Sequence, residues 1–366
     1  MKILLINLLF VIFISCTNNQ EQLRQSIDLN DVSGNVMIND IFEDFEYFAL
    51  QTTDSSLFGQ IDKLIVFEDK YFILDKRQMR QVFVFEKDGT FSHTIGEYGP
   101  GRGEYGFDVA DFTIDKENRQ LMILIQPSMV FIYSLDGKFI EHKNLHTISS
   151  LWHICSYNNG IVCSADHIMR KNNASSQMIY IFDKDFTLKN KLLNSLTENI
   201  KIFPVVSNCL FDNNNKVAYF DEFTYTLYPD VTNGEEKESV YFALNNKVPL
   251  EVFADSQHYF DNQQQYSYFI DLMIIGDTVT GYYINGLQQC VLIMNIKNGK
   301  KILARSLWMP TILCHKEDYL YSCIRPDWIL EDATSGISAE NMTQYPVEID
   351  SNPVIVRFKM KKGLLK

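Results

Sequence analysis

The side chains best suited to chemistry in this sequence gather between residues 95 and 106. The run is Ile95-Gly96-Glu97-Tyr98-Gly99-Pro100-Gly101-Arg102-Gly103-Glu104-Tyr105-Gly106, with five glycines in twelve residues. Glycine lets a backbone take positive φ or approach a ligand closely, so Arg102, Glu104 and Tyr105 are candidate contact residues in a loop that cradles a ligand at a channel mouth. A phosphate-binding loop is a poor match, because no Lys-Ser/Thr follows and no helix start is signalled. The competing reading is a tight crossover held by Arg102 and Glu104. Arg77, Arg80, Trp152 and the run Arg325-Pro326-Asp327-Trp328 form a second candidate binding set, since Arg and Trp are enriched where binding energy concentrates. Against it stands the ordinary use of large aromatics as core.

Metal and covalent chemistry find less support. His142 and His146 are four apart, with His153 close behind, but that spacing joins ligands on a helix and this segment reads as strand and loop. His93, His167, His258 and His315 are scattered, so no metal set and no cofactor are expected. G-x-S-x-G and H-E-x-x-H are both missing, and no catalytic residue is assigned. Cys155 and Cys163 flank Asn158-Asn159-Gly160, and Cys314 and Cys323 flank Glu317-Asp318. They read as buried thiols or as cross-strand bridges; no zinc-type spacing is present.

The elements that position these residues repeat. Aromatic and β-branched runs are broken at Glu68-Asp69, Asp88-Gly89, Glu117-Asn118 and Asp136-Gly137, a pattern of short antiparallel strands joined by hairpins. Phe85, Tyr133, Phe182, Tyr228, Met294 and Phe358 recur as a third-strand marker, at steps of 46 to 49 residues and then 66 and 64. Six copies of a four-stranded unit predict an all-β, six-bladed β-propeller. The longer steps predict insertions near 245–268 and 330–352. The last copy, Met309–Lys316, Tyr319–Pro326 and Pro353–Met360, lacks a fourth strand, and the alternating segment Phe45–Gln51 is predicted to supply it and close the ring.

The first residues carry an address. Ile3 to Ile14 is apolar but for Asn7, too short to span a bilayer and readable as an export signal. Ser15-Cys16 followed by Thr17-Asn18-Asn19-Gln20 resembles the lipobox of bacterial lipoproteins, with Phe13 where that pattern usually has Leu. The resemblance implies lipidation of Cys16 and a membrane anchor. Residues 1–16 are thus expected as signal and lipobox, 17–36 as a flexible polar tether and 37–366 as the propeller. A net charge of −13 disfavours nucleic acid as a partner.

The stretch from Phe58 to Asp115, with Phe45–Ile61 before it and Phe220–Asp230 after, resembles the six-bladed β-propeller lipoproteins of Bacteroides and relatives, a family similar to NHL-repeat proteins. Its members usually carry a G-x-G-P-G-E-Y crossover; here Gly99-Pro100-Gly101-Arg102-Gly103-Glu104-Tyr105 keeps the Gly-Glu-Tyr end with the Pro displaced. The resemblance implies an envelope propeller lipid-anchored to a bacterial outer membrane, with either face open, and no reaction. The expected function is a non-catalytic binding or scaffolding module for a glycan, a peptide or an envelope protein. The alternative is an NHL-like metal-dependent lyase or lactonase with axial His and carboxylates.

Overall fold

The computed structural model describes residues 23–147, 150–165, 177–194, 200, 208–234, 236, 238–306, 310–331 and 345–365. Six sheets, each with four antiparallel strands, form the blades. The innermost strands are Lys63–Phe67, Val109–Asp115, Leu151–Tyr157, Leu210–Asn213, Tyr268–Ile275 and Cys314–Lys316, and from blade 6 through blades 1, 2, 3 and 4 to blade 5 each packs on the next around the axis. All six marker residues lie on third strands, where Phe85, Phe182, Met294 and Phe358 are fully buried. Burying a Phe or Met side chain contributes roughly 1.5–3 kcal/mol, which is why the marker recurs.

The up-and-down strand order gives the ring two unlike ends. At the hairpin end, two-residue turns join first to second strands in five blades and a four-residue turn does so in blade 2; Glu68 and Asp69, and Asn214 and Asn215, take positive φ there, the backbone of a type I′ turn. At the loop end lie the second-to-third-strand turns and the blade-to-blade crossovers, including the glycine-rich run.

Phe42–Phe48 forms the outer strand of blade 6, paired antiparallel with Val354–Met360 from Phe42 opposite Met360 to Phe48 opposite Ile355. The clasp therefore starts three residues earlier than the sequence reading placed it. Phe42 and Phe45 pack on Phe358 with ring centroids 4.8 and 5.3 Å apart, and Arg357 Nη2 meets Glu46 Oε2 at 2.6 Å.

The tether expected over 17–36 is corrected from residue 23 onward. Leu23–Asp28 lies parallel to Glu238–Ala243 as a fifth strand on blade 4. Ile27 and Leu29 are buried. The chain then passes to the edge of blade 5, where Ser33 N–H donates to Leu303 O at 3.2 Å and Val36 N–H to Arg305 O at 3.0 Å. An outer strand exposes a row of unpaired backbone groups, and this segment satisfies two such edges before closing a third.

The insertion at 245–268 is helical, with Ser256–Asn262 an α-helix and Phe253 and Tyr259 packed beside Phe223 in a small core of their own. The second insertion begins with the helix Pro326–Glu331, and residues 332–344 fall outside the described ones. The bridge reading for Cys155 and Cys163 is overturned by register. Cys155 opposes Val162 and Cys163 opposes Ile154, so the thiols point to opposite faces of the sheet, into different cores. Burial pushes the Cys155 thiol up to about 12. Cys314 and Cys323 are not bridged either.

Candidate functional site

The inner edge of a first strand has backbone groups with no strand partner, and side chains from the next blade satisfy several of them. Asp111 Oδ2 accepts Ile154 N–H at 2.9 Å. Thr113 Oγ1 accepts Ser156 N–H at 3.0 Å, and Ser156 Oγ donates to Ile114 O at 2.5 Å. Asp271 Oδ2 accepts Ile312 N–H at 3.2 Å. Asp111 and Asp271 hold matching places, each just after a register irregularity in its strand. Their charges are handled differently. Lys63 Nζ lies 2.8 Å from Asp111, both largely buried, and donates to Ile154 O at 3.2 Å. Asp271 has no salt bridge among the described residues, and burial pushes its carboxyl up to about 6 against the pull of the Ile312 and Leu272 amides.

Other bonds cross the axis. Lys116 of blade 2 reaches Asp212 of blade 4 at 2.5 Å, and His315 Nε2 of blade 6 donates to the Asp212 carbonyl at 3.2 Å. Asp212 thus ties three alternate blades together. Around these groups lies a cavity of about 430 Å³ lined by residues from all six blades. Its mouth is at the hairpin end, where Asn214, Asn215 and Glu317 are exposed.

None of the binding residues proposed from sequence lines this cavity. They belong to the other end. Arg77 is exposed in the turn that follows Asp75, whose buried carboxylate accepts the N–H groups of Gly59, Arg77 and Gln78 at 2.8, 3.1 and 2.9 Å. Arg80 stacks over Tyr98 with its guanidinium carbon 4.5 Å from the ring centre. Glu104 Oε2 accepts Gly101 N–H at 2.8 Å, so it holds the crossover as the structural reading expected. Arg102 is exposed and has no salt bridge among the described residues. Tyr105 is no contact residue: it is 1% exposed, sits in the core between blades 1 and 2, and its hydroxyl donates to Arg80 O. Trp152 is half-buried at the start of the first strand of blade 3. Arg325 is held bidentately by Asp327 at 3.1 and 2.6 Å, and Trp328 beside it is 51% exposed.

What sequence reading missed is the company these residues keep. Of twelve large exposed apolar side chains among the described residues, nine lie at the loop end: Leu57, Met79, Tyr98, Phe107, Phe260, Leu287, Trp328, Leu330 and Ile349. Only Met37, Ile140 and Leu188 lie elsewhere. The signal was available as apolar residues inside turn segments, where polar ones are the norm.

Several histidines engage protein groups. His93 Nε2 donates to Leu135 O at 2.9 Å, His142 stacks on Phe131 at 5.2 Å, and His258 meets Tyr266 Oη at 3.2 Å. Burial pushes His153 down to about 4, although Asp111 lies 3.8 Å away. Among the described residues no group of three or more His, Cys, Asp or Glu is placed to hold a metal ion. His167 lies outside them.

No curated protein matches the chain in sequence. Among solved structures, a crystal structure of a protein from Bacteroides fragilis assigned as exported is similar over 93% of this chain and 100% of that one, with a TM-score of 0.71 at 16% identity. The WD40 domain of Pan2 from Neurospora crassa is more distantly similar, with a TM-score of 0.43 at 9% identity over 84% of this chain and 77% of that one. BamB from Moraxella catarrhalis has a TM-score of 0.44 at 8% identity over 75% and 72%. A family model described as a domain of unknown function, DUF4934, matches residues 24–359. Together with the six-bladed fold, that match makes the chain a member of the DUF4934 family.

Proposed function

We propose that this protein is a non-catalytic binding module of the bacterial cell envelope, anchored by lipid on Cys16 and using its loop end to hold a partner protein. The observation that carries the reading is the one-sided exposure of apolar side chains, with Leu287 81% and Trp328 51% exposed at the same end of the ring as the exposed Arg77, Arg102 and Arg325. Exposed apolar groups rimmed by polar ones mark interaction surfaces, and Trp, Tyr and Arg are the usual anchors.

The proposed anchor supports the same orientation. Leu23–Asp28 runs parallel to the outer strand of blade 4, which leads to a blade-to-blade crossover, so Leu23 lies at the hairpin end. Six residues separate it from Cys16, a reach of at most about 25 Å when extended. A lipid at Cys16 would hold the hairpin end near the membrane and turn the loop end away from it. No helix among the described residues is long and apolar enough to cross a membrane. The likeness to an exported Bacteroides fragilis protein agrees with an envelope address, at the outer membrane in this reading. The metal-dependent lyase or lactonase reading draws less support, because the axial His153, His315, Asp111 and Asp212 are engaged with protein groups.

A photo-crosslinking amino acid placed at Leu287 or Trp328 in the native envelope is expected to give a discrete heavier species, while the same group at the exposed hairpin-end Lys300 gives none. Adducts from Lys300 alone, or none from either loop-end site, would remove the basis for this function.

A further inference from the structure

The axial cavity opens at the end opposite the proposed partner surface, and its chemistry selects a different kind of ligand. Every lysine in its wall already has a carboxylate. Lys63 pairs with Asp111 at 2.8 Å, Lys116 with Asp212 at 2.5 Å and Lys316 with Asp69 at 3.7 Å. An anionic ligand would have to break these pairs, and separating the buried one leaves an uncompensated charge. A cation meets no cluster of ligating side chains among the described residues.

Several neutral polar groups in the wall are spent on the fold. Thr113 and Ser156 bond each other's strands, as given above. Three groups stand out as unspent among the described residues. His315 Nε2 faces a carbonyl, which can only accept, so that nitrogen carries the hydrogen and Nδ1 is a bare acceptor. Nδ1 is buried and meets no donor among the described residues; burial also lowers the ring's proton affinity. Buried acceptors are almost always satisfied, and a hydroxyl of a bound molecule would satisfy this one. At the mouth, the side-chain amides of Asn214 and Asn215 are exposed on a turn whose positive φ values fix the backbone and leave the amides free to bond. Beside these groups stand Phe67, Phe211 and Met273 as an apolar wall. At about 430 Å³ the space is near the small end of the roughly 300–1,000 Å³ range of ligand pockets.

We propose that this cavity binds an uncharged, polyhydroxylated small molecule, a free sugar of one or two rings, whose hydroxyls meet His315 Nδ1 and the Asn214 and Asn215 amides while its C–H face rests on the apolar wall. The site is independent of the loop-end reading.

The test is calorimetric titration of the purified full chain with a panel of neutral mono- and disaccharides, with glucuronate and glucosamine as charged counterparts. At least one neutral sugar is expected to bind, with its uronate and amine analogues weaker by about tenfold or more. The double substitution Asn214→Gly and Asn215→Gly preserves a backbone that accepts positive φ and removes both amides. It is expected to weaken that sugar about tenfold with an unchanged melting temperature in its absence. Trp328→Ser should leave sugar affinity intact, which separates this claim from the partner surface. No binding by any neutral sugar, tighter binding of a charged analogue, or an affinity indifferent to the Asn pair would each overturn the assignment.

Discussion

Two half-buried titratable groups near the axis pull stability in opposite directions as pH changes. His153 is held down near 4 by burial, below its unfolded value of about 6.5. Between those values the unfolded chain takes the proton and the folded one does not, so stability falls as pH drops through this window. Asp271 is pushed up to about 6, above its unfolded value of about 3.9. The folded chain holds that proton longer, so this contribution is full below about pH 4 and lost as pH rises through 6. Asp271→Asn mimics the protonated form and is expected to stabilise the protein by about 1–2 kcal/mol at pH 7 and by nearly nothing at pH 4. Urea unfolding at the two pH values reads this directly; equal stability of variant and parent at pH 7 would show that Asp271 ionises at no cost. Sequence could not reveal the asymmetry between Asp111 and Asp271, because it depends on Lys63 arriving from a neighbouring blade. Tyr105 was misread for a related reason: its glycine-rich surroundings look open, yet its ring faces the core between blades.

At the scale of elements, what was legible is what is local. The hairpins at Glu68-Asp69 and Asp88-Gly89 and the buried third-strand aromatics follow from turn chemistry and alternation within a few residues. The strand Leu23–Asp28 was not legible, since its partner Glu238–Ala243 is more than two hundred residues away and the pairing is parallel. Its alternation is weak, with Ile27 the clearest inward residue and Leu29 just beyond. The helix Ser256–Asn262 was hidden by its polar, Asn- and Gln-rich neighbourhood, and it persists because Phe253 and Tyr259 find Phe223 across the loop. If the amino-terminal strand is structural, Leu29→Ala is expected to cost about 2–4 kcal/mol, as for a fully buried leucine. Thermal unfolding checks this; a change under about 0.5 kcal/mol, the level of a surface substitution, would return the segment to the status of a tether.

The whole molecule has a sense of direction. Its hairpin end carries charged turns, the cavity mouth and the start of the strand Leu23–Asp28, while its loop end carries the insertions and most of the exposed apolar surface among the described residues. The six-bladed ring was readable because six weak copies of one pattern reinforce each other and because an unpaired strand at each end of the chain predicted its own closure. The axial cavity and the polarity between ends were not readable, since both arise from residues that meet only when the ring closes. The measurement that most directly tests the loop end as the working face is amide hydrogen exchange of the protein in its native membranes, compared with the purified chain. Slowed exchange is predicted at the loop-end segments 97–108, 250–267 and 325–331, with the hairpin turns at Glu68-Asp69 and Asn214-Asn215 unchanged. Slowing confined to those hairpin turns, or identical exchange in both states, would contradict the account.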